Sequence, residues 1–277
     1  MTGGADVPGP RPHPVPLVDW PDALEAVLAR SCTALVRAVV VRETSSTQDH
    51  ARDSGAPAGT VVTAWRQTAG RGRLGRAWAD TGEDGVAATF VLPDLPPESL
   101  ALRSAVAAAE AVARLAPGNA VGIKWPNDVV ADGMKLAGVL VERAEGRTFV
   151  GIGINVCQRA FPPELAPHAT SLALLGHAFD RLDVLRELVR SVDAVLGRDE
   201  EDVYRTYAAL DRLTGRACTF LTPSGAVRGI VRRVDPRRGL CVEAAHGDVF
   251  LPAATTSVAP PEGARRYGDR PADGDAT

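Results

Sequence analysis

Apolar positions change their spacing several times along this chain, and each change marks an element. Residues 19–30 repeat at helical spacing, with Asp19 as a candidate N-cap and Pro21 in the first turn. Residues 35–42 form a β-branched apolar run that predicts a strand, and residues 60–66 and 86–92 predict two more. Residues 47–54 predict a short helix starting beside the Ser45 and Ser46 hydroxyls. Pro96 and Pro97 open a long Ala-rich helix that runs to Leu115 and stops at Pro117-Gly118. Residues 121–125 are short and extended. Residues 135–143 and 148–157 alternate and predict a hairpin around 144–147, and helical spacing returns at 182–196 and 201–210.

From Thr214 to Val258 the pattern becomes short strands broken by turns such as Pro223-Ser224-Gly225, which predicts a small β-barrel appended to a larger α+β domain. The ends, 1–16 and 260–277, are rich in Gly, Pro and polar residues and predict flexible tails. The expected domains are therefore 17–212 and 213–259. No internal repeat is present in the sequence.

Composition narrows the classes. Hydrophobic residues make up 45% and charged residues 23%, enough for an ordinary core. A formal net charge of −3 gives no electrostatic ground for nucleic-acid or membrane binding. Cys32, Cys157, Cys218 and Cys241 form no CxxC pair, and the histidines are equally scattered, so neither a disulfide framework nor a zinc site is expected. No basic leader or long apolar run is visible, and a reducing, cytoplasmic setting is expected.

Chemistry concentrates in four places. Gly70-Arg71-Gly72-Arg73-Leu74-Gly75-Arg76 combines glycines, which let backbone amides approach a ligand, with planar permanent cations suited to phosphate or carboxylate. It is not a P-loop, because the GxxxxGK[ST] order is absent. Lys124-Trp125-Pro126-Asn127-Asp128 packs a cation, an aromatic, an amide and a carboxylate into an extended turn; Asn127 and Asp128 are of the type that ligates Mg²⁺ or reads an adenine edge. Lys135 starts an alternating segment in which Gly138 leaves room on one face. In Gly151-Ile152-Gly153-Ile154-Asn155 the glycines and the amide share one face, a floor for a flat ligand. Alone, each is compatible with a cationic loop, a turn or ordinary sheet.

Together and in this order, with Ser45-Ser46-Thr47-Gln48, Gln67-Thr68-Ala69 and Trp78, these segments resemble the biotin–protein ligase family over residues 44–155. The resemblance implies a central mixed sheet of the class II synthetase and lipoate ligase kind, followed by an SH3-like barrel. It implies ATP and biotin as substrates with Mg²⁺, formation of biotinyl-5′-AMP and pyrophosphate, and transfer of biotin to a lysine of a biotin carboxyl carrier protein. Lys135 and Arg71 are then the expected catalytic residues. Ser46, Thr47, Gln67, Gly70, Arg71, Arg73, Lys135 and Gly138 are expected at biotin. Arg71, Arg73, Arg76, Trp78, Lys124, Asn127 and Asn155 are expected at ATP or the adenylate, and Asp128 at the metal. A loop of this composition is expected to close over the adenylate and shield it from water.

The family's repressor members carry an N-terminal DNA-binding domain. Only about forty residues precede the first strand here, and many are Pro or Gly, so no repressor function and no nucleic-acid partner is expected. A monomer or homodimer fits equally. Two alternatives stand beside this reading. One is a lipoate or octanoate ligase of related fold, whose pocket needs no ureido partners. The other is a nucleic-acid binder using the Gly/Arg loop, which net acidity and 5% aromatics disfavour.

Overall fold

The computed structural model describes residues 14–79, 82–163 and 165–259, so the expected tails lie outside it except for residues 14–16. Within that stretch Val15 donates its N–H to Asp180 at 2.9 Å.

The first helix, α1 (Trp20–Ser31), carries Pro21 in its first turn as expected, but Asp19 does not cap it: Asp19 has helical dihedrals and ends a preceding 3₁₀ turn. Next come β1 (Arg37–Thr44), α2 (Thr47–Asp53) and β2 (Thr60–Gln67). The Gly/Arg loop folds into a ribbon of β3 (Gly70–Arg71) and β4 (Ala77–Trp78), turned by Leu74 at φ 58° and Gly75 at φ 74°. β5 (Gly85–Leu92) and α3 (Pro97–Leu115) follow, then β6 (Val121–Lys124), β7 (Asp128–Ala131), β8 (Met134–Ala144) and β9 (Arg147–Asn155). α4 (Arg181–Leu196) and α5 (Glu200–Leu210) complete the first domain. The expected hairpin around 144–147 is the β8–β9 pair. β7 was not expected: its apolar run of three falls directly after the Asn127 turn.

The main sheet has seven strands in the order β1-β2-β5-β9-β8-β7-β6. Only β1–β2 is parallel, so the sheet is mixed, as expected for an α+β domain. One face is covered by α1, α3, α4 and α5, which share its core. Ala105, Ala107, Ala108, Ala109 and Ala111 of α3 are all 1% exposed or less, and their small side chains let α3 lie close to β8 and β9. Each Leu or Ile buried here, such as Leu185 or Ile152, contributes on the order of 1.5–3 kcal/mol. The other face carries only α2, over a small cluster of Ala51, Val62, Val91 and Phe149, and is otherwise left to the Gly/Arg loop.

Residues 217–258 form β10 (Ala217–Thr222), β11 (Gly225–Asp235), β12 (Gly239–Ala244), β13 (Gly247–Pro252) and β14 (Ser257–Val258). Their order, β13-β12-β11-β10-β14, is an antiparallel sheet whose outer strands do not pair with each other among the described residues. The expected closed barrel is thus an open sheet; its centre strands bury Phe220, Val231, Leu240 and Val242, while β13 leaves Phe250 exposed. No described helix is long and apolar enough to cross a membrane.

Candidate active site

The uncovered face of the main sheet holds a pocket of about 230 Å³. Its floor is the glycine face of β8 and β9. In β9, Ile152 and Ile154 point into the helical core at 2% and 1% exposure, which leaves Gly151 and Gly153 on the opposite side. Gly138 pairs directly with Gly153 across the ladder and extends the same bare surface.

Lys135 should not reach this floor by strand alternation alone, since it lies an odd three positions before Gly138. A β-bulge solves this. Val130 pairs with Lys135 and Val129 with Ala137, so Leu136 is an extra residue and the parity resets. Lys135 therefore shares the pocket face with Gly138, and a Cβ at Gly138 would lie 3.4 Å from Lys135 Nζ. Lys135 Nζ is 2.7 Å from Asp128 Oδ1, and it stands 5.4 Å from the Trp78 ring centroid. The strand is tied on its other side by Lys135 N–H donating to His168 O at 2.7 Å, which brings His168 to the pocket wall.

Trp78 lies on the glycine floor. A Cβ at Gly153 would come 2.6 Å from its ring, and one at Gly138 2.9 Å. Gln48 covers the remaining glycine, its Oε1 2.5 Å from where a Cβ of Gly151 would sit. The room predicted over these glycines is thus used by Trp78 and Gln48. That accounts for a volume below the roughly 300–1,000 Å³ of most small-molecule sites.

At the α2 end, Ser46 caps the helix, its Oγ accepting from Asp49 N–H at 3.4 Å. Thr47 donates to Gln67 Oε1 from both its N–H, at 2.9 Å, and its Oγ1, at 3.1 Å. Thr47 Oγ1 in turn accepts from Thr89 at 2.9 Å. Ser46, Thr47 and Gln67 are brought together here, with Ser46 and Thr47 only 2% and 3% exposed. Gly70 is not itself a pocket wall. Its lack of a side chain matters because a Cβ there would meet Gln67 Nε2 at 2.4 Å.

The two leading arginines of the loop differ sharply. Arg71 is clasped by two carboxylates, Asp49 of α2 and Glu142 of β8, the latter at 3.0 Å. Asp49 also holds Arg52, and Glu142 accepts from Gln48 at 3.2 Å. The Asp49 hydrogen bond, against the effect of burial, raises the Arg71 pKa further. Burial pushes the Asp49 carboxyl up, but Arg71 and Arg52 together outweigh it and hold it below the usual range. Arg73 donates to a backbone carbonyl, that of Ala253 in the C-terminal sheet. Burial and the neighbouring Arg76 lower its pKa, with Asp128 opposing.

Arg76, Lys124, Asn127 and Asp128 also line the pocket, as do Ser257 and Val258 from the C-terminal sheet. Asn127 Nδ2 donates to Val139 O at 2.6 Å and locks the turn after Pro126 to β8. Asn155, expected at the nucleotide, is not a pocket wall. It is fully buried, donates to Thr170 O at 3.0 Å, and accepts from Gln158 at 3.4 Å. Asp128, expected at the metal, gives its carboxylate to Lys135, and among the described residues no group of three His, Cys, Asp or Glu side chains that could hold a metal ion is present. Sequence reasoning missed Asp49, Glu142, His168 and the C-terminal contributors. Only Glu142 lay inside a segment already singled out.

Comparison with known proteins gives a consistent result. The model of the biotin/lipoate A/B protein ligase family matches residues 38–158. A biotin–[acetyl-CoA-carboxylase] ligase of Mycobacterium tuberculosis is 36% identical over 207 residues, 70% of this chain and 77% of that protein. The bifunctional ligase/repressor of Bacillus subtilis is 39% identical, but the match spans 54% of this chain and only half of that protein. Among solved structures, a biotin protein ligase from Aquifex aeolicus in complex with biotin and ATP superposes with a TM-score of 0.70 at 28% identity, covering 80% of this chain and 98% of that one.

Proposed function

This chain belongs to the biotin protein ligase family, and from that membership we propose how its pocket works. The chain is an ATP-dependent ligase that forms biotinyl-5′-AMP and passes biotin to a lysine of a carboxylase carrier domain. The observation that carries the assignment of ends is the layout of the floor. A polar cluster, Ser46, Thr47 and Gln67, stands at the α2 end, and Lys135 stands at the Gly138 end, with bare glycine sheet between. Biotin has the same order: a neutral ureido ring that needs short donors and acceptors, an apolar middle, and a carboxylate. A lipoyl chain offers nothing for the Thr47–Gln67 cluster to bond.

In the first step a biotin carboxylate oxygen attacks the α-phosphorus of ATP, and the bond to the pyrophosphate leaving group breaks. Both reactants are anions, so the pocket must hold them together against repulsion. Lys135 at the floor's end is placed to bridge carboxylate and α-phosphate. We assign the phosphate-facing guanidinium to Arg73 rather than Arg71. Two carboxylates already neutralise Arg71, while Arg73 has only a carbonyl and keeps its charge for an incoming anion. Arg71 then holds the loop in place. Arg76, Lys124 and Asn127 line the nucleotide side, and Trp78 must leave the floor to admit the ligand and cover it.

In the second step the acceptor amine attacks the acyl carbon, the carbon–oxygen bond to phosphate breaks, and AMP leaves as the amine loses a proton. Lys135 again faces the developing negative charge. Magnesium belongs to the nucleotide in this scheme rather than to a resident protein site. The setting we propose is reducing and cytoplasmic, because the scattered cysteines of the sequence form no disulfide framework.

The test is ATP–pyrophosphate exchange by the purified protein with Mg²⁺, run with biotin, with lipoate, and with neither. Exchange that requires biotin is the expected result. Exchange with lipoate alone overturns the ureido assignment of Ser46, Thr47 and Gln67.

A further inference from the structure

The Gly/Arg loop hangs in a fork of the main sheet. β2 and β5 pair from Thr60↔Val91 to Thr63↔Ala88 and no further. Beyond that point the end of β2 stays with β1, where Gln67 pairs with Thr44, and the start of β5 stays with β9, where Gly85 pairs with Asn155. The loop leaves at Gln67 and returns at Gly85, so its two roots stand on strand ends that the ladder does not join. One side chain spans the gap. Arg181 Nη1 donates to Trp65 O at 2.7 Å and to Gly85 O at 3.2 Å. Arg181 is only 4% exposed, and its guanidinium carbon lies 4.1 Å from the centroid of the Trp65 ring and 5.2 Å from that of Trp20. Its Nη2 has no hydrogen-bond partner among the described residues, so the two indoles hold the guanidinium plane. Trp20 is fixed in turn, its Nε1 donating to Val15 O at 3.2 Å.

Arg181 opens α4, where a cation opposes the helix dipole, so the helix gains nothing from its charge. Burial lowers its pKa, with Cys157, Glu83, Asp180 and Asp84 opposing. Glu83 and Asp84 are the last two residues of the loop's return limb, so their charges are drawn toward the same side chain that bonds to Gly85 O. What the guanidinium holds is the spacing of Trp65 and Gly85. Arg181 is not among the pocket's walls, so it can act on a ligand only through the loop. We propose that Arg181 is a positioning residue: it fixes the two roots of the Gly/Arg loop, so that the ribbon lands with Trp78 over the glycine floor and the adenylate stays in the pocket. The inference rests on the ligase reading, which supplies the adenylate. A loop whose roots are free to spread opens more often, although its tip bonds from Arg71 and Arg73 are intact.

The experiment uses the full chain with Arg181→Met, which keeps the stem and removes the donors and the charge, and Arg181→Lys, which keeps the charge and loses the flat face. Arg103→Met is the control. Arg103 also clamps two carbonyls, Val195 O and Arg198 O, both at 2.8 Å, but far from the loop's roots. All variants are compared at a temperature well below their own melting midpoints. Two readouts are taken: release of preformed biotinyl-5′-AMP, and tryptic cutting after Arg71, Arg73 or Arg76, mapped by mass spectrometry. In Arg181→Met both should run about tenfold faster than in the parent, and in Arg103→Met both should stay within about twofold. Arg181→Lys should fall between, at about threefold. Equal release and cutting in the two Met variants overturns the proposal, because any lost arginine clamp would then have the same effect. Should Arg181→Met not fold, Arg181→Lys decides, and parent-like release and cutting in it overturns the proposal. Absence of biotin-dependent ATP–pyrophosphate exchange in the parent would strike the ligase reading instead, while tryptic cutting would still decide whether Arg181 fixes the loop.

Discussion

The pocket's two walls are built in opposite ways. The floor is central sheet: Gly138, Gly151 and Gly153 sit in strands paired on both sides, backed by Ile152, Ile154 and the α3 alanines. The roof is a two-residue ribbon with a left-handed Leu74 at its tip, held by side chains rather than by a ladder. Arg71 ties it to α2 and β8, Arg73 ties it to the C-terminal sheet, and Trp78 rests on the floor. A rigid floor fixes where a ligand lies. A roof attached at a few polar points can lift and return without disturbing the core. On the proposed mechanism the difference gives Lys135 its place on the floor, because a group meant to serve both half-reactions must not move with the lid.

Four variants would break or sharpen this division. Lys135→Ala removes the fixed charge and should lower the rate of biotin-dependent exchange by about 10²–10³-fold with little change in thermal stability. A loss of that size through KM alone would move Lys135 from the chemistry to binding. Among the roof arginines, Arg73→Ala should cost about 10–100-fold in exchange kcat/KM, whereas Arg71→Ala should act mostly on the KM for biotin and ATP. The reverse ranking would restore Arg71 as the anion-facing residue. Gly153→Val should displace Trp78 from the floor and destabilise the fold by about 1–3 kcal/mol in denaturant titration. An unperturbed variant would mean that Trp78 does not depend on this contact.

The smallest effect concerns acid. Asp49 is held below its ordinary value of 3.8 by Arg71 and Arg52, so its ionised form is favoured in the folded state. The resulting stability is fully present above that value and is lost as pH falls through the lower folded pKa. Asp49→Asn should therefore unfold at a lower denaturant midpoint than the parent near pH 6, and the gap should narrow progressively below about pH 4. A gap that stays constant with pH would mean that the carboxyl's charge contributes nothing to the clasp.

Some of this was legible in the sequence, and the boundary is physical. The glycine face of β9 could be read because alternation is local, and the Ile152/Ile154 side confirmed itself by burial. The position of Lys135 on that face could not. Parity alone predicts the wrong side, and only the extra residue at Leu136 corrects it. Gln67 and Thr47 were rightly grouped, since both flank elements whose ends a parallel pair brings together. Arg71 was expected at the chemistry ahead of Arg73, and their different settings could not be read because their partners, Asp49, Glu142 and Ala253, are 22, 71 and 180 positions away. Asn155 was grouped with the glycines by its face. The chain that returns past it at Thr170 covers it, and nothing near Asn155 announces that. The C-terminal segment showed its strands by turn residues, but whether a sheet closes depends on its outermost strands meeting, and β13 and β14 do not.

The bond from Arg73 to Ala253 has a consequence for how the molecule reaches its working state. Its two ends are 180 residues apart, among the most distant pairs in the molecule. Contacts of such sequence separation form late in folding, because the entropy of closing the intervening chain must be overcome before they contribute. The main sheet, with its hairpins and neighbouring helices, can assemble earlier. During refolding, then, secondary structure and the hydrophobic core should return before the roof is pinned to the C-terminal sheet. An intermediate of this kind would own the floor and Lys135 but no fastened roof, so on the proposed mechanism the capacity to hold a reactive adenylate is acquired last.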